Sequence, residues 1–159
     1  MKGIVAMDLN RVIGDQGKIP WHISVDLRFF RQMTTDPKGG GFLIMGRKTF
    51  ESVGILPDRH IYVLTNDLDK RKILDSRGHK FVDEEGLWTI GQPDHRFWVC
   101  GGAEVYKKFL PQCTEVYVTI VLDEYEGDTY APDFEEYFPS QKIILECKTH
   151  WIVKYAKQS

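Results

Sequence analysis

The sequence has few cysteines, no metal-binding pattern and no long apolar run. Its three cysteines, Cys100, Cys113 and Cys147, include no Cys-x-x-Cys pair, and its five histidines are scattered, so we predict neither a disulfide framework nor a metal site. No apolar run approaches the roughly 18 residues that span a bilayer, and the N-terminus lacks a signal-peptide pattern. These absences predict a soluble, cytoplasmic protein with reduced thiols.

A large excess of charge is also missing. The chain has 21 Lys and Arg against 23 Asp and Glu, which gives a formal net charge of −2, whereas a nucleic-acid-binding protein normally presents a concentrated basic face. The content of 42% hydrophobic and 28% charged residues is ordinary for a globular protein. We therefore expect one domain over residues 1–159 that binds neither nucleic acid nor membrane.

What the sequence does contain is an alternation of strands and helices. Continuous apolar runs predict strands buried on both faces at residues 4–7, 42–45, 61–64, 97–100 and 116–122. Helices are predicted at residues 25–35, with Ser24 as the cap, and at residues 47–53, 84–90 and 103–110. Residues 142–148 and 150–156 are strand-like. The pattern predicts an α/β fold with a mostly parallel central sheet, flanked by helices and closed by a C-terminal antiparallel pair.

The loops after the strands are the candidate binding segments, because ligands of open parallel sheets lie outside the carboxyl ends of the strands. Arg47, Lys48 and Thr49 offer amides, positive charge and a hydroxyl to a phosphate, and an ordinary helix start explains them equally well. Gly101 and Gly102 permit either close approach of a ligand or tight packing. Residues 123–136 contain seven acidic residues and no Lys or Arg, and we interpret them as a solvated loop.

Asp26 is the most informative candidate. It lies in the first turn of a predicted helix, and Phe30, four residues later, places its carboxylate beside the apolar stripe. Burial there would raise the pKa of the carboxyl and suit it to binding a planar cation or an amidine-like N–H pair. The spacing leaves open the alternative that Asp26 only stabilises the helix dipole.

The order of the motifs resembles that of the dihydrofolate reductase family over nearly the whole chain. The eight matching pieces are residues 4–7, 10–14, 19–21, 26–27 with Phe30, 45–54, 56–59, 101–106 and 126–129. The resemblance implies a dihydrofolate reductase-like fold in a monomeric enzyme. It also implies NADPH-dependent reduction of 7,8-dihydrofolate to 5,6,7,8-tetrahydrofolate, by hydride transfer to the pterin C6 with protonation at N5.

The resemblance assigns roles to individual residues. Asp26 is implied to hold the pterin 2-amino group and N3, while the proton reaches N5 through water. The catalytic set implied is Asp26, Trp21, Tyr106 and Thr119, with Thr119 supporting the pterin end through a water. Arg59 is similar to the arginine that receives the α-carboxylate of the glutamate tail. The substrate-binding set implied is Ile4, Ala6, Asp26, Leu27, Phe30, Ser52, Val53, Leu56, Arg59, Cys100 and Thr119.

The cofactor implied is NADPH, with positive charge at its 2′-phosphate supplied chiefly by Arg47. The cofactor-binding set implied is Ala6, Ile13, Gly14, Ile19, Gly46, Arg47, Lys48, Thr49, Thr65, Asn66, Cys100, Gly101, Gly102, Ala103, Val105, Tyr106 and Thr129. Residues 13–21 resemble a mobile loop that closes over the nicotinamide and excludes water. Glu104 departs from the family pattern, because some members place a basic residue there.

Two alternatives remain beside this interpretation. A reductase of riboflavin synthesis with a similar fold would act on a ribosylamino-pyrimidine, and it would not require both an Asp26-type carboxylate and an Arg59-type contact. A non-catalytic binding module would keep the slot for assembly or regulation. The presence of Trp21, Tyr106 and Thr119 speaks against such a module.

Overall fold

The structure is a computed structural model that describes residues 1–38, 40–54, 56–67, 69, 79–90 and 93–158. Its strands are β1 (Lys2–Asp8), β2 (Val12–Gly14), β3 (Gly41–Gly46), β4 (Arg59–Leu64), β5 (Lys80–Val82), β6 (Phe97–Val99), β7 (Glu115–Val121), β8 (Thr129–Tyr130), β9 (Ser140–Glu146) and β10 (His150–Ala156). Its helices are α1 (Ser24–Thr34), α2 (Arg47–Val53), α3 (Glu84–Thr89) and α4 (Ala103–Phe109), with 3₁₀ turns at Leu110–Gln112 and Glu135–Tyr137.

In the described part of the chain, eight strands form one sheet in the order β5-β4-β3-β6-β1-β7-β10-β9. Among the first six strands in this order, β5, β4, β3, β6, β1 and β7, each pair of neighbours is parallel. β10 pairs antiparallel with both β7 and β9, and β2 pairs with β8 in a small separate sheet. The predicted α/β fold, with a mostly parallel sheet closed by an antiparallel pair, is confirmed.

The continuous apolar runs form strands because helices cover both faces of the sheet. On one face, Leu43 and Val63 are fully buried, and side chains of α1 and α2 pack against them. On the other face, Ile44 and Val99 are fully buried beneath Phe109 of α4. Each fully buried aliphatic side chain contributes about 1.5–3 kcal/mol through the apolar surface removed from water.

The ends of two helices differ from the prediction. Ser24 is the first residue of α1 instead of its cap; Ile23 occupies the cap position without a side-chain hydrogen bond, and the Ser24 hydroxyl lies 3.5 Å from His22 Nε2. α4 ends at Phe109, before Pro111 is reached. The chain then continues as the 3₁₀ turn at Leu110–Gln112, which contains the proline, so Pro111 is not the residue that ends the helix. The short strands β2, β5 and β8 were not predicted, since two or three residues carry too little periodicity.

The interpretation of residues 123–136 as a solvated loop is wrong for the second half of the segment. The side chain of Phe134 is fully buried, and the Glu135 carboxylate accepts a hydrogen bond of 2.6 Å from the Arg11 guanidinium. The arginine that neutralises this acid lies more than a hundred residues away in the sequence, so the local charge pattern could not reveal the contact.

Among the described helices, none is long and apolar enough to cross a membrane.

Candidate active site

The carboxyl ends of β1, β3, β6 and β7 meet at one edge of the sheet. The Gly46 amide at the end of β3 donates to the Gly101 carbonyl after β6 at 2.8 Å, and the Cys100 amide donates to the Ile44 carbonyl at 2.9 Å. On the other side of β6, Ala6 of β1 pairs with Thr119 of β7. This register brings the predicted segments to one rim, as the strand-end rule requires.

Asp26 reaches this rim from the first turn of α1. The Thr119 hydroxyl donates a hydrogen bond of 2.5 Å to Asp26 Oδ1, and Thr119 is buried. Burial raises the pKa of the Asp26 carboxyl above its ordinary value, although the hydrogen bond from Thr119 and the charge of His150 act in the opposite direction. Asp26 therefore faces into the protein beside the sheet, and the helix dipole alone does not account for its placement.

Apolar side chains flank this carboxylate. α1 and α2 pack on the same face of the sheet, where Phe30 and Leu56 adjoin the buried cluster that contains Ile4. Leu27 on α1 and Val53 on α2 nevertheless stay 48% and 37% exposed. Partly exposed apolar side chains with one half-buried carboxylate among them suit a flat aromatic ligand that carries adjacent N–H groups. Ser52 is exposed on α2 in the same region.

Tyr106 and Cys100 lie at the back of the rim. The Tyr106 hydroxyl donates to the Ile4 carbonyl at 2.9 Å, and burial raises the pKa of this phenol. Burial also raises the pKa of the Cys100 thiol, whose sulfur lies 3.4 Å from the Trp98 carbonyl oxygen. Both groups therefore stay neutral at physiological pH, and a neutral thiol is a poor nucleophile.

Arg59 is the buried cation on this face of the sheet. Its Nε donates to the Pro57 carbonyl at 2.9 Å, and its Nη1 donates to the Thr34 hydroxyl at 3.3 Å. The guanidinium carbon lies 5.8 Å from the centroid of the Phe30 ring. These contacts use two of the five N–H donors of the guanidinium, which leaves a fork that suits a carboxylate.

Two helices start where the glycine turns meet. α2 follows Gly46 and α4 follows Gly102, and neither glycine supplies a side-chain cap. A Cβ at Gly102 would lie 3.3 Å from Thr49 Oγ1, and one at Gly46 would lie 3.5 Å from a methyl group of Val105. At Gly101 the backbone has a φ of +108°, and a Cβ would lie 3.3 Å from the Tyr106 ring. The glycines thus pack closely against side chains of α2 and α4, and the backbone amides that start the two helices are groups that can bind the phosphates of a dinucleotide.

The charged and hydroxyl side chains near these turns are already engaged with neighbours. Arg47 pairs with Glu51 at 3.0 Å. Hydrogen bonds from Thr129 and the Gln16 amide lower the pKa of the Asp128 carboxyl, and the charge of Lys48 acts in the same direction. Thr129 donates to the same carboxyl at 2.7 Å. Thr65 and Asn66 follow β4, Ala103 begins α4, and Glu104 is exposed in the first turn of α4.

The predicted lid is a hairpin beside the small sheet. Ile13 and Gly14 belong to β2, where Gly14 pairs with Thr129 of β8. Asp15 and Lys18 form a bridge, the Gln16 amide donates to Asp128 at 3.0 Å, and Ile19 is exposed. At the end of the lid, the rings of Trp21 and Tyr125 lie 5.3 Å apart. The lid is thus fastened to the acid-rich segment by both a hydrogen bond and a ring contact.

Three residues that organise this rim are not among the predicted site residues: His150, Asp8 and Tyr125. His150 is buried close enough to Asp26 to lower the pKa of its carboxyl. Buried Asp8 accepts hydrogen bonds from the amides of Asn10, Val12 and Tyr125 and thereby shapes the loop after β1. An Asp directly after a buried strand could have indicated this role, whereas the sequence offered no signal for His150 or Tyr125.

Comparisons with known proteins agree with this geometry. The family model described as "Dihydrofolate reductase" matches residues 1–146. The dihydrofolate reductase of Haemophilus influenzae is 37% identical over 145 residues, which cover 84% of this chain and 85% of that protein. The dihydrofolate reductase of Bacillus subtilis is 38% identical over 136 residues, with 84% and 76% covered. A solved structure, the dihydrofolate reductase from Enterococcus faecalis complexed with NADP(H) and RAB-propyl, has a TM-score of 0.81 and 28% identity and covers 99% of this chain and 96% of its own. The chain belongs to the dihydrofolate reductase family.

Proposed function

We propose that the cleft around Asp26 reduces 7,8-dihydrofolate to 5,6,7,8-tetrahydrofolate with NADPH. Membership of the family confirms the predicted oxidoreductase class and cofactor. The observation that carries the assignment of the cleft is the half-buried Asp26 carboxylate, which is hydrogen-bonded to Thr119 beside apolar side chains. A carboxylate in that setting needs a ligand with complementary N–H groups, because desolvation of its charge is costly.

Asp26 anchors the pterin and does not deliver the proton itself. Its two oxygens accept parallel hydrogen bonds from the pterin 2-amino group and N3, while the Thr119 hydroxyl fixes the orientation of the carboxyl. The anchored ring lies in the slot formed by Ile4, Ala6, Leu27, Phe30, Ser52, Val53, Leu56 and Cys100. N5 then takes its proton from water, and Asp26 favours this step by stabilising the positive charge that the ring gains.

The glycine turns hold the cofactor. When it is bound, NADPH supplies a hydride from the nicotinamide C4 to the pterin C6. The bare backbone of the Gly46 and Gly101-Gly102 turns lets the cofactor approach closely, and Arg47 provides positive charge for the 2′-phosphate. The remaining cofactor contacts proposed are Ala6, Ile13, Gly14, Ile19, Lys48, Thr49, Thr65, Asn66, Cys100, Ala103, Val105, Tyr106 and Thr129.

Other residues position the far end of the substrate and exclude water. Arg59 receives the α-carboxylate of the glutamate tail with the donors that Pro57 and Thr34 leave available. The lid of residues 13–21 covers the reacting atoms, and Trp21 at its end rests against Tyr125. Exclusion of bulk water strengthens the electrostatic contact between Asp26 and the ring.

One copy of the chain supplies both halves of the cleft, since Asp26, Thr119, Arg59 and the glycine turns all belong to it. This supports the prediction of a monomeric enzyme that acts on a small-molecule substrate. One domain over residues 1–159, a cytoplasmic location and the absence of nucleic-acid and membrane binding stay predictions. Size-exclusion chromatography with light scattering should give the mass of one chain, 18.5 kDa.

The direct test is consumption of NADPH, followed by its absorbance, when the purified protein is mixed with 7,8-dihydrofolate. We expect turnover by the wild type and a loss of about 10²- to 10⁴-fold in Asp26→Asn, because the variant lacks the charge that favours protonation of the ring. Asp133→Asn is the matched control, because that side chain is 94% exposed. Failure of the wild type to oxidise NADPH would overturn the proposal, and turnover of a ribosylamino-pyrimidine instead would support the riboflavin alternative.

A further inference from the structure

The chain enters α1 without a side-chain cap. Ile23 occupies the cap position, and no side-chain hydrogen bond is made there, although the amides of a first helical turn need partners from outside the helix. The first hydrogen bond of the helix runs from the Leu27 amide to the Ile23 carbonyl oxygen, at 3.1 Å. Asp26, the proposed pterin anchor, lies in this first turn. Its position therefore depends on how the chain before α1 is held.

An aromatic contact holds the chain just before the helix. The rings of Trp21 and Tyr125 are half-buried, with their centroids 5.3 Å apart and their planes inclined by 55°. An aromatic pair at this spacing and inclination stabilises a structure beyond the effect of the area that it buries. Because Trp21 lies two residues before Ile23, the contact fixes the backbone that leads into α1.

Tyr125 is itself held from the end of β1. Its amide donates to Asp8 Oδ2 at 2.7 Å. The other oxygen of this buried carboxylate accepts hydrogen bonds of 2.9 and 2.8 Å from the amides of Asn10 and Val12. Two residues after Tyr125, Gly127 packs so closely on β2 that a Cβ would lie 2.3 Å from a methyl group of Val12. The Tyr125 ring is thus presented from a backbone that is fastened to the strands.

We propose that Tyr125 is a positioning residue for the reaction, whose ring holds Trp21 and thereby keeps the first turn of α1, with Asp26, in place. The contact does the work of the missing side-chain cap. The Thr119 hydroxyl orients the Asp26 carboxylate, whereas the aromatic pair fixes the backbone that carries it. This inference rests on the proposed function, because its effect on rate passes through the pterin anchor, and a small misplacement of such a group slows a reaction.

The first test is amide hydrogen exchange at the start of α1 in the free protein, which requires no turnover. In Tyr125→Leu we expect the Leu27 amide to exchange about three- to tenfold faster than in the wild type, the factor that corresponds to the loss of one aromatic pair. The rate is compared with that of the fully buried Val118 in β7, because general destabilisation would speed exchange at both amides. An unchanged ratio of the two rates would overturn the inference, whether or not the wild type reduces dihydrofolate.

Two matched variants separate the ring contact from other changes in the same segment. Tyr125→Phe keeps the ring and should exchange at Leu27 like the wild type. Tyr130→Leu removes a 51% exposed ring whose hydroxyl donates to the Gly127 carbonyl, and it should also leave the Leu27 rate unchanged. Faster exchange in Tyr130→Leu, equal to that in Tyr125→Leu, would assign the effect to the segment as a whole and contradict the role of the Tyr125 ring.

The partner ring keeps the test decisive if Tyr125→Leu does not fold. Trp21→Leu removes the other half of the pair and should speed exchange of the Leu27 amide by the same factor, so an unchanged rate in this variant would also overturn the inference. Where both variants fold, the double variant should exchange no faster than either single one, since the two changes remove the same contact. Additive increases would show that the two rings act separately and would contradict it.

Kinetics connects the contact to the reaction. Once the wild type is shown to reduce dihydrofolate, Tyr125→Leu should have a kcat/KM for this substrate about three- to tenfold lower, and Tyr125→Phe should restore the wild-type value. A wild-type kcat/KM in Tyr125→Leu, together with faster exchange at Leu27, would show that the contact supports the helix but does not position the anchor, and would overturn the proposal.

Discussion

The two halves of the proposed cleft differ in how they are built. The proposed substrate half consists of side chains that other side chains hold in place, as Thr119 holds Asp26 and Thr34 holds Arg59. The proposed cofactor half consists of bare backbone, where the turns at Gly46 and Gly101 lie side by side. A group that stabilises the transition state affects rate, whereas groups that bind a ligand equally throughout affect affinity. The two halves should therefore fail in different ways when they are altered.

The loss of turnover in Asp26→Asn is the largest effect that we expect, and Gly101→Ala should produce the next largest. A residue with a Cβ at the φ of +108° is strained by about 1–3 kcal/mol, and its methyl group would also contact the Tyr106 ring. We expect fluorescence titration to show NADPH binding weakened about tenfold or more, with kcat largely retained at saturating NADPH.

Gly54→Ala is the matched control for this change. Gly54 also has a positive φ, but a Cβ there would have no neighbour within 4 Å. This variant should lose stability without losing affinity for NADPH. Equal NADPH affinity in Gly101→Ala and the wild type would contradict the proposal that the glycine turns bind the cofactor.

Within the substrate half, Arg59→Lys tests binding of the substrate's glutamate tail separately from the reduction step. Lysine keeps the charge but loses the planar fork, so we expect KM for dihydrofolate to rise about tenfold, the value of one charge-assisted hydrogen bond, while kcat stays the same. A dihydropterin without a glutamate tail should react equally with both proteins. Arg31→Lys, at an exposed side chain paired with Asp58 at 3.8 Å, should change neither constant. An increase in KM for the tailless substrate would contradict the assignment of Arg59.

The smallest effect concerns stability. Because the pKa of Asp26 is raised in the folded protein, the fold binds this proton more tightly than the unfolded chain does and loses stability as the pH rises through the raised pKa. Asp26→Asn should therefore unfold at a slightly higher temperature than the wild type at neutral pH. The difference should disappear below the pKa of the unfolded carboxyl. A lower unfolding temperature for Asp26→Asn at neutral pH would contradict this sign.

The strands, the sheet class and the family were predictable because their signals are local or ordered along the chain. The apolar run at residues 42–45 marks β3, and the four-residue spacing of Asp26 and Phe30 placed the carboxylate beside an apolar face. The direct contact between Thr119 and Asp26 joins residues 93 positions apart and follows from the strand order. The burial of His150 depends in the same way on the pairing of β10 with β7, which no local pattern encodes.

The central claim is that the substrate half determines turnover and the cofactor half determines affinity for NADPH. The most direct test measures kcat and the dissociation constant for NADPH in Asp26→Asn and Gly101→Ala side by side. We expect opposite results for the two variants: Asp26→Asn loses turnover by about 10²- to 10⁴-fold and binds NADPH like the wild type, whereas Gly101→Ala binds NADPH weakly and retains turnover at saturating NADPH. Loss of both properties in both variants, or weak NADPH binding by Asp26→Asn, would contradict it.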